Sequence, residues 1–246
     1  MADRIFKLAK DAEEKDLAYR LRYEVYCIEE KFIEINEEKT EKDEFDEFAQ
    51  HFLAYKGEEV VGTVRLIEEN SYFKNLSYGL HVEKLFSFSD FERKNKYKFA
   101  ESSRSSVKKK YRKGLYIWGL WKAMIQYSLK KNITHLIFSA NPETNDINYA
   151  QKMYCLAKKK GMIHEDISVK LKDDSIGSDI EDIIDRETVC FPELIQVYLK
   201  LGCKFIGPAS YYPKVGMCAL PMVLDLHNID EPFRTRFLKK DKSIHI

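Results

Sequence analysis

Phe99–Tyr116 reads FAESSRSSVKKKYRKGLY. Phe99–Val107 has the character of a β-strand, and the basic loop after it contains Gly114, which precedes a long helical pattern. Inside the strand stand a carboxylate and a guanidinium, Glu101 and Arg104, three positions apart. Charges in a sheet are costly unless paired or put to use, so this is either a surface strand with a salt bridge or a functional site. In a regular strand, residues three apart point to opposite faces. One extra, bulged residue brings them to the same side, and the expected position of that bulge is Ser102–Ser103.

The flanking sequence reads as an α/β fold built around this strand. Downstream, Lys113–Lys130 places Leu115, Trp118, Leu120, Trp121, Met124, Ile125 and Leu129 at helical spacing. Ile133–Ala140 is a continuous apolar run, typical of a strand buried on both faces. Upstream, His51–Tyr55 and Val60–Ile67 flank a glycine-containing turn and read as a hairpin. Arg65 lies in its second strand, where an arginine needs an acidic partner; Asp43, Asp46 and Glu101 are the candidates. Arg4–Leu8 reads as a first strand, and Asp11–Tyr26 as an amphipathic helix capped by Asp11, with Arg22 and Tyr26 on one face.

Beyond the apolar run, Asn148–Lys160 and Phe191–Leu201 read as helices, the latter stopped by Gly202. Ile167–Leu171, Lys204–Gly207 and Met217–Leu226 read as strands. Lys31–Asp46 and Lys172–Glu187 are polar, acidic excursions. The expectation is a mixed, twisted sheet of about seven strands with helices on both faces. It forms one domain over residues 1–228, with a charged tail over 229–246.

Composition excludes several classes of function. The net charge is +1, which gives no global basic field for nucleic acid. The five cysteines are odd in number and scattered without a Cys-x-x-Cys pair, so neither a disulfide framework nor a metal site is expected. No apolar run approaches the roughly 18 residues that span a bilayer. The first ten residues, MADRIFKLAK, lack the apolar core of a signal peptide, and the reading is a reduced, cytoplasmic protein.

Five stretches in order carry a family resemblance: RYEVYCIEEKF (Arg22–Phe32), EKDEFDEFAQHFLA (Glu41–Ala54), VVGTVRLI (Val60–Ile67), ESSRSSV (Glu101–Val107) and PELIQVYLKLGCKFIGPASYYPKVG (Pro192–Gly216). Together they resemble the autoinducer-synthase-like branch of the GNAT acyltransferases. They look closest to the PEP-CTERM/exosortase-associated acyltransferases, with the N-acyl amino acid synthases as near relatives. The resemblance implies a GNAT-like domain with a splayed central strand, 141–190 being a family-variable insertion. It implies transfer of a fatty acyl group from a thioester to an amine, with no permanently bound cofactor. The family's Arg-x-x-x-aromatic pattern falls on Arg22 and Tyr26, and its next aromatic on Phe32, where autoinducer synthases commonly have Trp. Its Asp-x-x-Asp pair falls on Asp43 and Asp46, its core-strand Arg on Arg65, and its Glu-x-x-Arg on Glu101 and Arg104.

Such a transfer needs a base for the amine, a donor to the thioester carbonyl, and alignment of the two. Glu101 is the candidate base, with Ser103 and Arg104 beside it in the candidate catalytic set. A backbone N–H of the bulged strand is the candidate oxyanion donor. Arg22, Tyr26, Phe32, Asp43, Asp46 and Arg65 form the candidate acceptor side. There an ion-pair scaffold and a direct grip on an amino-acid carboxylate both fit. Lys108, Lys109, Lys110, Arg112, Lys113 and Gly114 form the candidate donor side. Arg112 and the single Gly114 are a reduced version of the usual acetyl-CoA loop. The basic run suits an acidic acyl carrier protein bearing phosphopantetheine, with acyl-CoA as the alternative donor. Cys27 reads as a buried thiol rather than a nucleophile.

Overall fold

A computed structural model of the chain describes residues 4–89, 97–112, 115–172, 189–213 and 215–246. The strands are β1 (Arg4–Leu8), β2 (Gln50–Lys56), β3 (Glu59–Glu68), β4 (Phe86–Phe88), β5 (Phe99–Val107), β6 (His135–Ala140), β7 (Val169–Leu171), β8 (Lys204–Phe205), β9 (Ser210–Tyr212), β10 (Met217–Asp225) and β11 (Ile244–His245). The α-helices are α1 (Ala12–Tyr23), α2 (Tyr116–Lys130), α3 (Ile147–Lys159), α4 (Glu193–Lys200) and α5 (Glu231–Leu238), and a π-helical turn, Glu24–Glu29, extends α1. The class is mixed α/β, as expected. The described strands number eleven rather than about seven, because β4, β9 and β11 are too short to leave a period in the sequence. Among the described residues no helix is long and apolar enough to cross a membrane.

The chain divides into two compact units. One unit holds Met1–Glu68, Ala100–Ile133 and Glu231–Ile246; the other holds Glu69–Phe99 and Thr134–Asp230. In the first unit β1, β2, β3 and β5 form an antiparallel array, and β11 joins β1 in parallel. The β2–β3 hairpin turns at Gly57, whose φ of +59° suits a residue without Cβ. β3 is buried continuously from Val61 to Ile67, the pattern of a strand covered on both faces. Asp11 caps α1 by accepting from the Glu14 backbone N–H, as expected. α2 crosses the array at Gly119, where an added Cβ would lie 2.1 Å from the Phe6 ring, so only glycine admits this approach.

Residues 229–246 are not a bare tail. Phe233 and Phe237, four apart on α5, face α2: the Phe233 ring stacks on Trp118 at 5.9 Å, and Phe237 is 1% exposed. Arg236 lies over the Trp118 ring at 4.5 Å, and Lys122 pairs with Asp241 at 3.2 Å. The charge density of this segment hid two aromatic anchors.

In the second unit β10 pairs antiparallel with β6, β8 and β9, and β4 pairs antiparallel with β7. α4 ends at Gly202, whose φ is +94°. Most of the Lys172–Glu187 excursion lies outside the described residues.

Candidate active site

The site is built on β5 and its ladder to β3. Arg65 pairs with Ser103 and Thr63 with Ser106, so β5 spends three residues where β3 spends two. The extra residue is a β-bulge. It lies between Ser103 and Ser106, not at Ser102–Ser103, and Arg104 within it has φ +53°. That left-handed backbone costs a non-glycine residue energy, and the surroundings must hold it.

What holds it is a closed ring of alternating charges. Arg22 grips Asp46 in two parallel bonds, Nη1 to Oδ1 at 2.8 Å and Nη2 to Oδ2 at 2.7 Å. Asp46 lies 3.1 Å from Arg65 Nη1, which reaches Asp43 at 2.6 Å. Asp43 pairs with Arg104 Nη2 at 3.0 Å, and Arg104 Nε with Glu41 at 3.1 Å. The second oxygen of Glu41 closes the ring on Arg22 Nε at 2.6 Å. Three guanidiniums and three carboxylates cancel, which is how so much charge is tolerated in the interior. Arg22 and Arg65 are fully buried, whereas Arg104 and Asp43 retain 17% and 16% side-chain exposure and mark the accessible side.

Electrostatics within the ring follow from these contacts. Burial alone would raise the Asp46 carboxyl; Arg22, Arg65 and the Asp43 backbone N–H outweigh it and hold it far below the usual carboxylate range. Burial and the two flanking arginines act on Asp43 in the same opposing way, and its pKa is lowered. His51, packed on Asp46, is pushed down to about 4, by burial first, and is neutral at pH 7. Arg65 Nε donates to Ser103 Oγ at 3.0 Å, so Ser103 is a fastening between the ring and β5. Arg65 Nη2 is buried, with no hydrogen-bond partner among the described residues.

The expected residues are distributed as follows. Arg22, Asp43, Asp46, Arg65 and Arg104 come together in the ring. Arg104 was expected in the catalytic set; both arms of its guanidinium are held by Glu41 and Asp43. Glu101 is 2% exposed, opposite Ile67 across the ladder, and outside the ring. Tyr26 is partly buried, and burial raises its pKa. Phe32 is half-buried, its backbone N–H donating to the Tyr26 carbonyl at 2.8 Å. Cys27 is buried, and burial followed by the Glu41 charge raises its pKa, the opposite of an activated thiol. Glu41 and His51 were not singled out in the sequence. Glu41 is one of several acidic residues in its loop, and only its contacts distinguish it.

The donor side differs from the expected open basic patch. Lys108 pairs with Glu24 at 2.8 Å and Glu59 at 3.3 Å, and Lys110 with Glu59 at 3.0 Å. Arg112 pairs with Glu29 at 3.0 Å and with Glu30. Carboxylates from other segments thus neutralise the run, which weakens long-range steering of an acidic carrier. Lys113 and Gly114 lie outside the described residues.

Residues 21–122 match the family model of the acetyltransferase (GNAT) domain. The matched span contains all six ring residues, Glu101 and the basic run. A comparison with curated protein sequences returns no match. Among solved structures, the chain is similar to FeeM, an N-acyl amino acid synthase from uncultured soil microbes, at 16% identity and a TM-score of 0.56, covering 97% of this chain and 96% of FeeM. It is also similar to BjaI, a CoA-dependent acyl-homoserine lactone synthase solved with SAM and isopentyl-CoA, at 13% identity and a TM-score of 0.55, covering 95% and 87% of the two chains. The acyl-homoserine lactone synthase LasI is a third, at 14% identity, a TM-score of 0.54, and 98% and 100% coverage. At these identities the likeness is one of fold.

Proposed function

We propose that this GNAT chain is an N-acyltransferase. It moves a fatty acyl group from a phosphopantetheine thioester to the amine of an amino acid or related small molecule. The observation that carries the reading is the bulged strand β5. It holds a buried carboxylate, Glu101, three residues before a backbone departure from the ladder, within the span that matches the GNAT domain.

In this reading Glu101 takes a proton from the acceptor ammonium, directly or through water. The free amine attacks the thioester carbonyl, and a backbone N–H released from the ladder by the bulge stabilises the tetrahedral oxyanion. Collapse breaks the C–S bond; the second nitrogen proton passes to the departing thiolate, leaving amide and free thiol, and the proton first taken by Glu101 is released to solvent. The ring is the frame that holds the bulge.

Acyl carrier protein is the donor that the family resemblance favours, and the neutralised basic run favours acyl-CoA as a second reading. The test is mass spectrometry of products from purified protein supplied with acyl-CoA or acyl carrier protein and a panel of amino acids. Amide formation, with one donor much preferred, supports the reading. No thioester consumption with either donor overturns it and favours a binding protein on the same fold.

A further inference from the structure

The loop after β5 is already held by anions of the chain itself. Glu29 accepts from the Lys109 backbone N–H with both carboxylate oxygens, at 2.9 and 3.1 Å, and from Arg112 Nη2 at 3.0 Å. Glu30 accepts from Arg112 Nη1. Arg112 is anchored for this role, because its Nε donates to the Val107 carbonyl at the end of β5, at 2.9 Å. Lys108 reaches the same acidic turn through Glu24 at 2.8 Å. Glu24 and Glu29 are five apart in the π-helical turn, and i→i+5 bonding stacks residues at that spacing. The turn also carries Tyr26 of the candidate acceptor side. One segment therefore bears both the carboxylates on the donor loop and a candidate acceptor residue.

We propose that Glu29 and Glu30 form an autoinhibitory latch: they occupy the loop's anion-binding groups, and a phosphate of the incoming donor must displace them to bind. The latch rests on the acyl-transfer reading, since it takes the donor to carry phosphopantetheine. Arg112 is 38% and Glu29 18% exposed, so these are partly solvated ion pairs that a stronger anion can break. A phosphate offers more charge and more acceptor oxygens than a carboxylate and competes well for a guanidinium. Displacing Glu29 frees the π-helical turn, so donor binding loosens the segment that bears Tyr26.

The test is isothermal titration of the full chain with CoA, comparing wild type, Glu29→Gln/Glu30→Gln and, as a control for net charge, Glu37→Gln/Glu58→Gln on exposed sites. The latch predicts CoA binding about three- to tenfold tighter in the first variant, the scale of releasing weak surface pairs, and nearly unchanged in the control. Equal or weaker binding in the first variant, or the same gain in the control, overturns the latch and leaves acyl transfer standing. Wild type that binds neither CoA nor a phosphopantetheine-bearing carrier protein overturns both. If the double variant melts early, Glu30→Gln alone, at the more exposed carboxylate, is expected to shift affinity in the same direction by less; no shift there overturns the latch.

Discussion

Arg22 and Asp46 face each other in the interior as a bidentate pair, at 2.8 and 2.7 Å, with 0% and 3% of their side chains exposed. Removing one partner leaves a buried charge unmatched. Asp46→Asn is expected to destabilise the fold by about 3–5 kcal/mol. The exposed Arg20–Asp16 pair offers the contrast, and Asp16→Asn should cost under about 0.5 kcal/mol. Urea unfolding of both variants reads the difference; similar midpoints would remove the ring from any structural role.

Stability should fall in acid in two stages. His51 titrates at about 4 in the fold and near 6.5 when unfolded, so the unfolded chain binds more protons between those values. That contribution is complete above pH 6.5 and is lost as pH falls to 4, by about 3 kcal/mol. Asp43 and Asp46, whose folded pKa values are depressed, contribute stability above the unfolded carboxylate range that is lost below it, toward their folded values. Urea midpoints from pH 8 to 3 test this. His51→Asn should flatten the upper limb and keep the lower one, and an unchanged upper limb would assign it to another group.

Arg104 combines a left-handed backbone with two ion pairs. Arg104→Gly and Arg104→Ala lose the same charges, but only alanine retains the conformational strain. Alanine should be the less stable by about 1–2 kcal/mol. Equal stability would mean that the bulge relaxes once the guanidinium is gone.

Glu101→Gln keeps shape and removes the base. Acyl transfer should fall by about 10²–10⁴-fold, with the melting curve little changed. Full activity with every acceptor tried would reassign the base.

Phe237→Ala should cost about 3–5 kcal/mol, because it empties a fully buried position between α5 and α2. A stability change within error in calorimetry would restore residues 229–246 to the status of a tail.

Local pattern alone determined much of this chain. The strand Phe99–Val107, the hairpin around Gly57, the Asp11 cap and the helix ending at Lys130 all agree with their periodicity, because backbone hydrogen bonding and caps are decided within a few residues. A carboxylate and a guanidinium three apart on one strand predict a bulge between them, whereas the bulge forms past Ser103, where Glu41 and Asp43 grip Arg104, and leaves Glu101 outside the ring. Tertiary structure alone chose the partners. Glu41 became a ring member although nothing in its acidic loop sets it apart, and Glu24, Glu29, Glu30 and Glu59 came from distant segments to neutralise the basic run. Ion pairing depends on distance in space and on lost water, and neither is encoded in the spacing of charges along a chain.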